Sequence, residues 1–72
     1  MKEISFKIIN DQPYIELIKL LQTLSIAQSG GHAKIMVSEG QVSVNGAIEL
    51  RKRNKLRVGD LVELEGFRVT IL

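Results

Sequence analysis

The sequence predicts one small α+β domain in which two helices pack against a small, mostly antiparallel sheet. Alternating apolar residues near both ends of the chain indicate strands, and two segments between them carry apolar residues at helical spacing. Turn signals with Gly, Pro and Asn separate these segments. At 72 residues the chain has room for one domain, 1–72, and none for a separate catalytic domain.

The first segment predicts a half-buried strand, because Ile4, Phe6 and Ile8 alternate with polar residues. A helix is expected to follow. Asp11 is expected to cap it and Pro13 to lie in its first turn, where the missing N–H of proline costs nothing.

The first helix is expected to run from about Tyr14 to Leu24 and to be the main core helix. Its apolar residues recur every three or four positions and form one face. That face comprises Tyr14, Leu17, Ile18, Leu20, Leu21 and Leu24.

The second helix is expected from about Gly30 to Glu39, with Ser29 as its N-cap and Gly40 just past its end. Two glycines in the first turn lower helix propensity by up to about 1 kcal/mol each relative to alanine. Close approach of another molecule, or of the neighbouring helix, is the expected reason for this cost. The buried face should carry Ala33, Met36 and Val37, and a solvated face should carry Lys34 and Ser38.

Two hairpins are expected in the second half. Val42 and Val44 lead into Asn45-Gly46, a strong hairpin signal. A strict two-residue loop would place Ile48 opposite Ser43, so a longer loop or a bulge is expected there.

The C-terminal hairpin has a cleaner register. Val58-Gly59-Asp60 is expected to be a turn, with Asp60 a turn residue. Val62 and Leu64 should then face Val69 and Phe67 across Glu65-Gly66.

Composition narrows the classes of function. The chain has no Cys and one His, so no thiolate site, metal cluster or paired-histidine relay is expected, and no cofactor. No phosphate-loop motif and no pair of desolvated carboxylates appears, which argues against an enzyme. No apolar run reaches the length of a signal peptide or a membrane span, so a cytoplasmic protein without a membrane partner is expected.

The net charge of +2 is unevenly distributed. The first 28 residues are balanced, residues 29–57 carry six Lys and Arg against Glu39 and Glu49, and the last 15 residues are acidic. Exposed pairs between these two glutamates and nearby basic residues are expected. The densest charge lies in one run: Arg51, Lys52, Arg53, Lys55 and Arg57. Such a run is usually a solvated loop, but after a helix, strand and turn it favours phosphate binding.

The basic run is expected to be extended. In an extended segment, Arg51, Arg53 and Lys55 would share one face and Lys52 would lie on the other. Ser29, Gly30 and Gly31 have two interpretations. They are a plain helix cap, or they are an anion site formed by free N–H groups at the positive end of the helix dipole.

The segment from Ser29 to Leu64 resembles the S-four RNA-binding domain, named after ribosomal small-subunit protein four. That family reads Ser-Arg-x-x-Ala-x-x-Leu-Ile-x-x-Gly-x-Val-x-Val-Asn-Gly, followed by Gly-Asp. The matching positions are Ser29, Ala33, Met36, Val37, Gly40, Val42, Val44, Asn45, Gly46, Gly59 and Asp60. The chain is most similar to the short stand-alone bacterial members, the YbcJ-like proteins. It departs from the family at Gly30, where Arg is usual.

The resemblance implies an αL-type fold and RNA binding by a monomer, with ribosomal or transfer RNA as the target and the ribosome or its assembly intermediates as partners. It also implies that the second helix faces RNA. Lys34 is therefore expected to contact RNA, and His32 is expected to be a surface residue with RNA contact as the alternative. Loss of the usual Arg at Gly30 would remove one side-chain contact, which backbone groups and Lys34 would replace.

The expected function is non-catalytic binding of structured RNA. The chain has three aromatic residues, Phe6, Tyr14 and Phe67, and each lies on an apolar stripe, so no exposed stacking platform is expected. Recognition should then use phosphate, 2′-OH and shape. The alternatives are a protein-interaction module that docks an acidic partner through the same basic face, and a DNA-binding domain.

Overall fold

The computed structural model describes residues 2–8 and 12–72, which form seven strands and two helices. The strands are β1 Lys2–Phe6, β2 Ile15–Glu16, β3 Ser43–Val44, β4 Ala47–Ile48, β5 Lys55–Leu56, β6 Leu61–Leu64 and β7 Phe67–Ile71. The helices are α1 Leu17–Thr23 and α2 Gly30–Ser38. None of the described helices is long and apolar enough to cross a membrane.

Five strands form one sheet in the order β1-β7-β6-β3-β4. Its pairs are antiparallel except for β1 and β7, which run parallel with Ile4 opposite Val69. The C-terminal hairpin has the predicted register, with Val62 opposite Val69 and Leu64 opposite Phe67. The predicted fold class, two helices on a mostly antiparallel sheet, is confirmed.

The core lies between the two helices and one face of this sheet. It is a continuous cluster without a buried polar or charged side chain among the described residues. Helix α2 buries the three predicted residues, Ala33, Met36 and Val37, while Lys34 and Ser38 are exposed. The other buried residues are Leu17, Leu20, Leu21, Ala27, Val42, Leu56, Val62, Leu64, Val69 and Ile71.

Helix α2 has the predicted ends. The hydroxyl of Ser29 accepts a hydrogen bond from the His32 N–H at 3.1 Å. Gly40 follows the last turn with φ of 74°, and the Gln41 N–H donates to the Met36 carbonyl at 3.1 Å. This is the Schellman ending, in which a residue of positive φ lets the chain satisfy the last carbonyls.

The predicted start of the first helix is wrong. Ile15 and Glu16 are extended and pair antiparallel with Leu56 and Lys55, so α1 begins at Leu17 and both Pro13 and Tyr14 precede it. Pairing with a distant strand outweighs the helical spacing of Tyr14, since propensity yields to tertiary contacts. The expected cap Asp11 lies outside the described residues.

The prediction of a longer loop or a bulge near Asn45 is also wrong. Val44 pairs with Ala47 and Ser43 with Ile48, which leaves a two-residue loop. Asn45 and Gly46 have φ of 53° and 87°, as a type I′ turn requires. The turn chemistry sets the register, and Ile48 remains 65% exposed as a consequence.

Candidate nucleic-acid interface

Four basic side chains surround one shallow depression. Arg51, Arg53, Lys55 and Arg57 are exposed and line it together with Asn54, and its volume is about 420 Å³. Lys52 is exposed but does not line the depression. We call these four side chains and Asn54 the basic depression.

The predicted extended course of this run is wrong, although the predicted grouping of side chains is present. Lys52 and Arg53 form a turn in which the Asn54 N–H donates to the Arg51 carbonyl at 3.2 Å. The turn brings Arg51 and Arg53 to the same depression as Lys55.

Backbone hydrogen bonds hold the basic run against the start of α1. The Leu17 N–H donates to the Asn54 carbonyl at 2.9 Å, and the Ile18 N–H donates to the Lys52 carbonyl at 3.2 Å. The first N–H groups of a helix lack partners within it, and the Glu16 side chain makes no capping bond here. Leu56 is fully buried and anchors the following strand. The backbone is thus fixed while the basic side chains stay in solvent.

Glu49 engages one of the four basic side chains. The Arg51 guanidinium donates from Nε to Oε2 at 2.8 Å and from Nη2 to Oε1 at 3.2 Å, and the Arg51 N–H donates to Oε2 at 2.9 Å. These hydrogen bonds lower the pKa of Glu49, although its partial burial acts in the opposite direction. The same contact raises the pKa of Arg51. The predicted pairing of Glu49 is therefore present, whereas Glu39 accepts from the Gln41 side chain at 2.9 Å.

Tyr14 lies beside the basic depression. The Lys55 ammonium is 4.9 Å from the centroid of the Tyr14 ring, within cation–π range. The ring is only partly buried. The assignment of Tyr14 to the core is wrong because the residue precedes the helix, whereas Phe6 and Phe67 do pack against the core. No signal in the sequence pairs Tyr14 with Lys55, because β2 is too short to show periodicity.

The start of α2 carries the second group of candidates. His32 Nδ1 accepts a hydrogen bond from the Gln28 N–H at 3.0 Å, so the imidazole is turned toward its own backbone. Within the described chain, the amides of Gly30 and Gly31 have no hydrogen-bond acceptor. Lys34 follows one turn later and is exposed.

Neither glycine is required by packing inside the protein. A Cβ at Gly30 would lie 3.6 Å from the Gln22 side chain, and one at Gly31 would lie 3.8 Å from the Ser29 hydroxyl. Both are ordinary contact distances. Close approach of the neighbouring helix therefore does not account for either glycine.

The two groups of candidates lie toward opposite ends of α1. The basic run contacts Leu17 and Ile18 at its start, and Gly30 lies near Gln22 in its last turn. At 1.5 Å per residue, Leu17 and Gln22 are about 7.5 Å apart along the axis. A ligand that contacts both groups must therefore span at least this distance.

Asp60 is a turn residue, as predicted, and it also connects two turns. Its Oδ2 accepts from the Arg57 N–H at 2.8 Å, and its Oδ1 accepts from the Asn45 side chain at 3.0 Å. The Asn45 side chain in turn accepts from the Leu61 N–H at 2.9 Å. These bonds fix the backbone at Arg57 relative to the β3–β4 hairpin.

Comparison with known proteins gives a consistent set of relatives. The model of the S4 domain family matches residues 6–72. YbcJ of Escherichia coli K12, named as a candidate RNA-binding protein, is 43% identical over 60 residues, which cover 83% of this chain and 86% of YbcJ. RlbA of Bacillus subtilis 168, named as a candidate ribosome maturation protein, is 46% identical over 57 residues, covering 79% and 80% of the two chains.

A solved structure agrees with the fold. The solution structure of E. coli YbcJ, described as revealing an αL motif involved in RNA binding, superposes with a TM-score of 0.73 at 38% identity. The match covers all of this chain and 90% of YbcJ.

Proposed function

Because the chain belongs to the S4 domain family, we propose that it is a non-catalytic protein that binds structured RNA. The observation that carries this proposal is the basic depression, where four exposed cationic side chains converge and a single carboxylate, Glu49, engages one of them among the described residues. The relatives named as RNA-binding support the same ligand.

The proposed surface combines the basic depression with the start of α2. Arg53 and Arg57 fork onto phosphate oxygens, Arg51 does so when it leaves Glu49, and Lys55 and Lys34 act as point charges. The amides of Gly30 and Gly31 add donors at the positive end of the helix dipole, beside Ser29 and His32. Lys52 contributes long-range attraction from outside the depression.

Such a surface favours a structured RNA. Double-stranded RNA is recognised mainly through shape, phosphate and 2′-OH contacts across its wide, shallow minor groove. Phosphates along one such groove form an extended ligand, which suits two sites at opposite ends of α1. We propose that the RNA is ribosomal or transfer RNA, bound by a cytoplasmic monomer on the ribosome or its assembly intermediates, and the relation to RlbA supports the link to the ribosome.

Salt titration tests the proposal directly. A purified, fluorescently labelled RNA hairpin with a stem of about 16 base pairs is titrated with the protein at about 0.05 to 0.2 M salt. With about four phosphate contacts, log K should fall against log salt with a slope of about −3 to −4. A slope near zero would refute the electrostatic mechanism.

A matched pair of variants locates the surface. Arg53→Ala with Arg57→Ala should weaken binding about tenfold or more and leave the fold intact, because exposed side chains change stability by about 0.5 kcal/mol or less. Lys2→Ala with Lys7→Ala removes the same charge near β1, at the sheet edge opposite β4, and should bind nearly as well as the parent. Equal losses in both pairs would mean that net charge, and not this surface, drives binding.

The competing functions give different outcomes in the same assay. A protein-docking module would bind no RNA hairpin on its own and would need an acidic protein partner. A DNA-binding domain would be displaced by duplex DNA as readily as by duplex RNA. Preference for duplex RNA in that competition is the expected result.

A further inference from the structure

A two-stranded ribbon continues the candidate surface beyond the basic depression. In this ribbon Glu16 pairs with Lys55, and Ile15 pairs with the buried Leu56. Side chains alternate along an extended segment, so Tyr14 and Glu16 lie on the outer face with Lys55 while Ile15 faces the core. The Lys55 ammonium over the Tyr14 ring agrees with this arrangement.

A second depression lies along the Tyr14–Glu16 side of this ribbon and has a volume of about 500 Å³, within the size range of ligand clefts. It offers an aromatic ring, an amide, a carboxylate and an ammonium group. The Glu16 carboxylate makes neither a capping bond nor an ion pair within the described residues. The lining residues are Gln12, Pro13, Tyr14, Ile15, Glu16 and Lys19.

We propose that this second depression takes one unpaired nucleotide that adjoins the RNA helix held at the basic depression, an inference that rests on the proposed function. The base stacks on the exposed part of the Tyr14 ring and its phosphate binds Lys55. Lys55 lines the basic depression and its ammonium also lies 4.9 Å from the Tyr14 centroid. A phosphate on that ammonium therefore brings the attached base within reach of the ring.

The nucleotide must be unpaired, because bases inside an intact helix expose their edges and not their faces. Splayed or terminal bases do stack on tyrosine side chains. Glu16 accepts hydrogen bonds only, so it favours a base that presents an amino or ring N–H group at its edge. The target is thus a helix with an adjoining unpaired base.

Three hairpins of identical stem test this inference. One hairpin is blunt, one carries a single unpaired guanosine, and one carries an abasic nucleotide that adds the phosphate without the base. The overhang is placed at the 3′ end in one series and at the 5′ end in a second series. In at least one series the guanosine should tighten binding about fivefold or more over both controls, the low end for base–aromatic stacking. Tyr14→Leu should lose this gain and still bind the blunt hairpin, while Tyr14→Phe should keep the gain.

A spectroscopic readout makes the test independent of the variants. Tyr14 is the only Tyr in the chain, so incorporated 3-fluorotyrosine reports this position alone. Its fluorine resonance should shift with the guanosine hairpin and much less with the abasic one. This arm remains decisive even where Tyr14→Leu does not fold.

The outcomes separate this inference from the proposed function. If the blunt hairpin binds with the expected salt slope and guanosine adds nothing over the abasic residue in either series, the nucleotide site is refuted and RNA binding stands. If a folded Tyr14→Leu protein loses the blunt hairpin too, Tyr14 only positions Lys55 and the stacking site is refuted. If the blunt hairpin does not bind at low salt, the proposed function itself fails.

Discussion

Replacing Glu49 with Gln should strengthen RNA binding, because it releases Arg51 for phosphate. In the parent protein the guanidinium donates to both Glu49 oxygens, at 2.8 and 3.2 Å. Glutamine keeps the shape of the side chain but removes the charge that holds Arg51. The released guanidinium can then add one phosphate contact at the basic depression.

The size of the effect follows from counterion release. One added phosphate contact steepens the slope of log K against log salt by about 0.9, the value for B-DNA, which we apply to duplex RNA. If affinity extrapolated to about 1 M salt is unchanged, binding at about 0.1 M becomes about eightfold tighter. Fluorescence anisotropy of the labelled hairpin over this salt range measures both quantities.

The control is Glu65→Gln, which makes the same change in net charge. Glu65 lies in the exposed turn between β6 and β7 and lines a groove with Ile26 and Met36, away from the basic depression. Its replacement should leave the slope unchanged. Should Glu49→Gln gain no more than this control, Arg51 does not contact phosphate and the assignment of its role is wrong.

Three further predictions concern α2 and the Glu49 pair. Gly31→Val should weaken RNA binding by obstructing the helix amides, and unchanged binding by this variant would exclude an anion site there. Gly30→Arg should tighten RNA binding and steepen the salt slope by about 0.9. The protein can accommodate this arginine because a Cβ at Gly30 meets only ordinary contacts. Ala33→Glu buries a charge at a position with no solvent exposure and should abolish the folded circular-dichroism spectrum, whereas the exposed Lys34→Glu should fold and lose RNA affinity. Folding lowers the pKa of Glu49. Its contribution to the free energy of unfolding is therefore present above the pKa of the unfolded state and is lost as the pH falls through the pKa of the folded state. Urea denaturation should therefore show that the stability of the parent falls more steeply below about pH 4.5 than the stability of Glu49→Gln. Parallel curves of stability against pH would contradict a stabilising contact between Glu49 and Arg51.

Features that depend on neighbours in the sequence were predictable. The cap at Ser29, the end of α2 at Gly40, the buried face with Ala33 and the C-terminal hairpin all follow from contacts within a few residues. The exposure of the basic run was predictable as well, because five charged side chains cannot be buried without partners.

The helix start and the surroundings of Lys55 depended on distant contacts. Ile15 and Leu56 are far apart in the chain, and strands of two residues show no periodicity from which to infer their pairing. The helical spacing favoured Tyr14 as a core residue, but this pattern does not reflect the stabilisation that comes from the pairing of β2 with β5. The pairing of Glu49 with a nearby basic residue was predictable, and the structure identifies Arg51 as that residue.

The sequence by itself determined the two helices, the turn residues, the apolar core of the sheet and the concentration of positive charge in residues 29–57, because local hydrogen bonding and burial act on neighbouring residues. The tertiary structure alone decided that four of those charges surround one depression, that Arg51 is the one that Glu49 engages, and that the half-buried Tyr14 ring lies beside Lys55. The physical reason is that the carbonyls of Lys52 and Asn54 complete the start of α1, which draws the basic run and Tyr14 together across the fold.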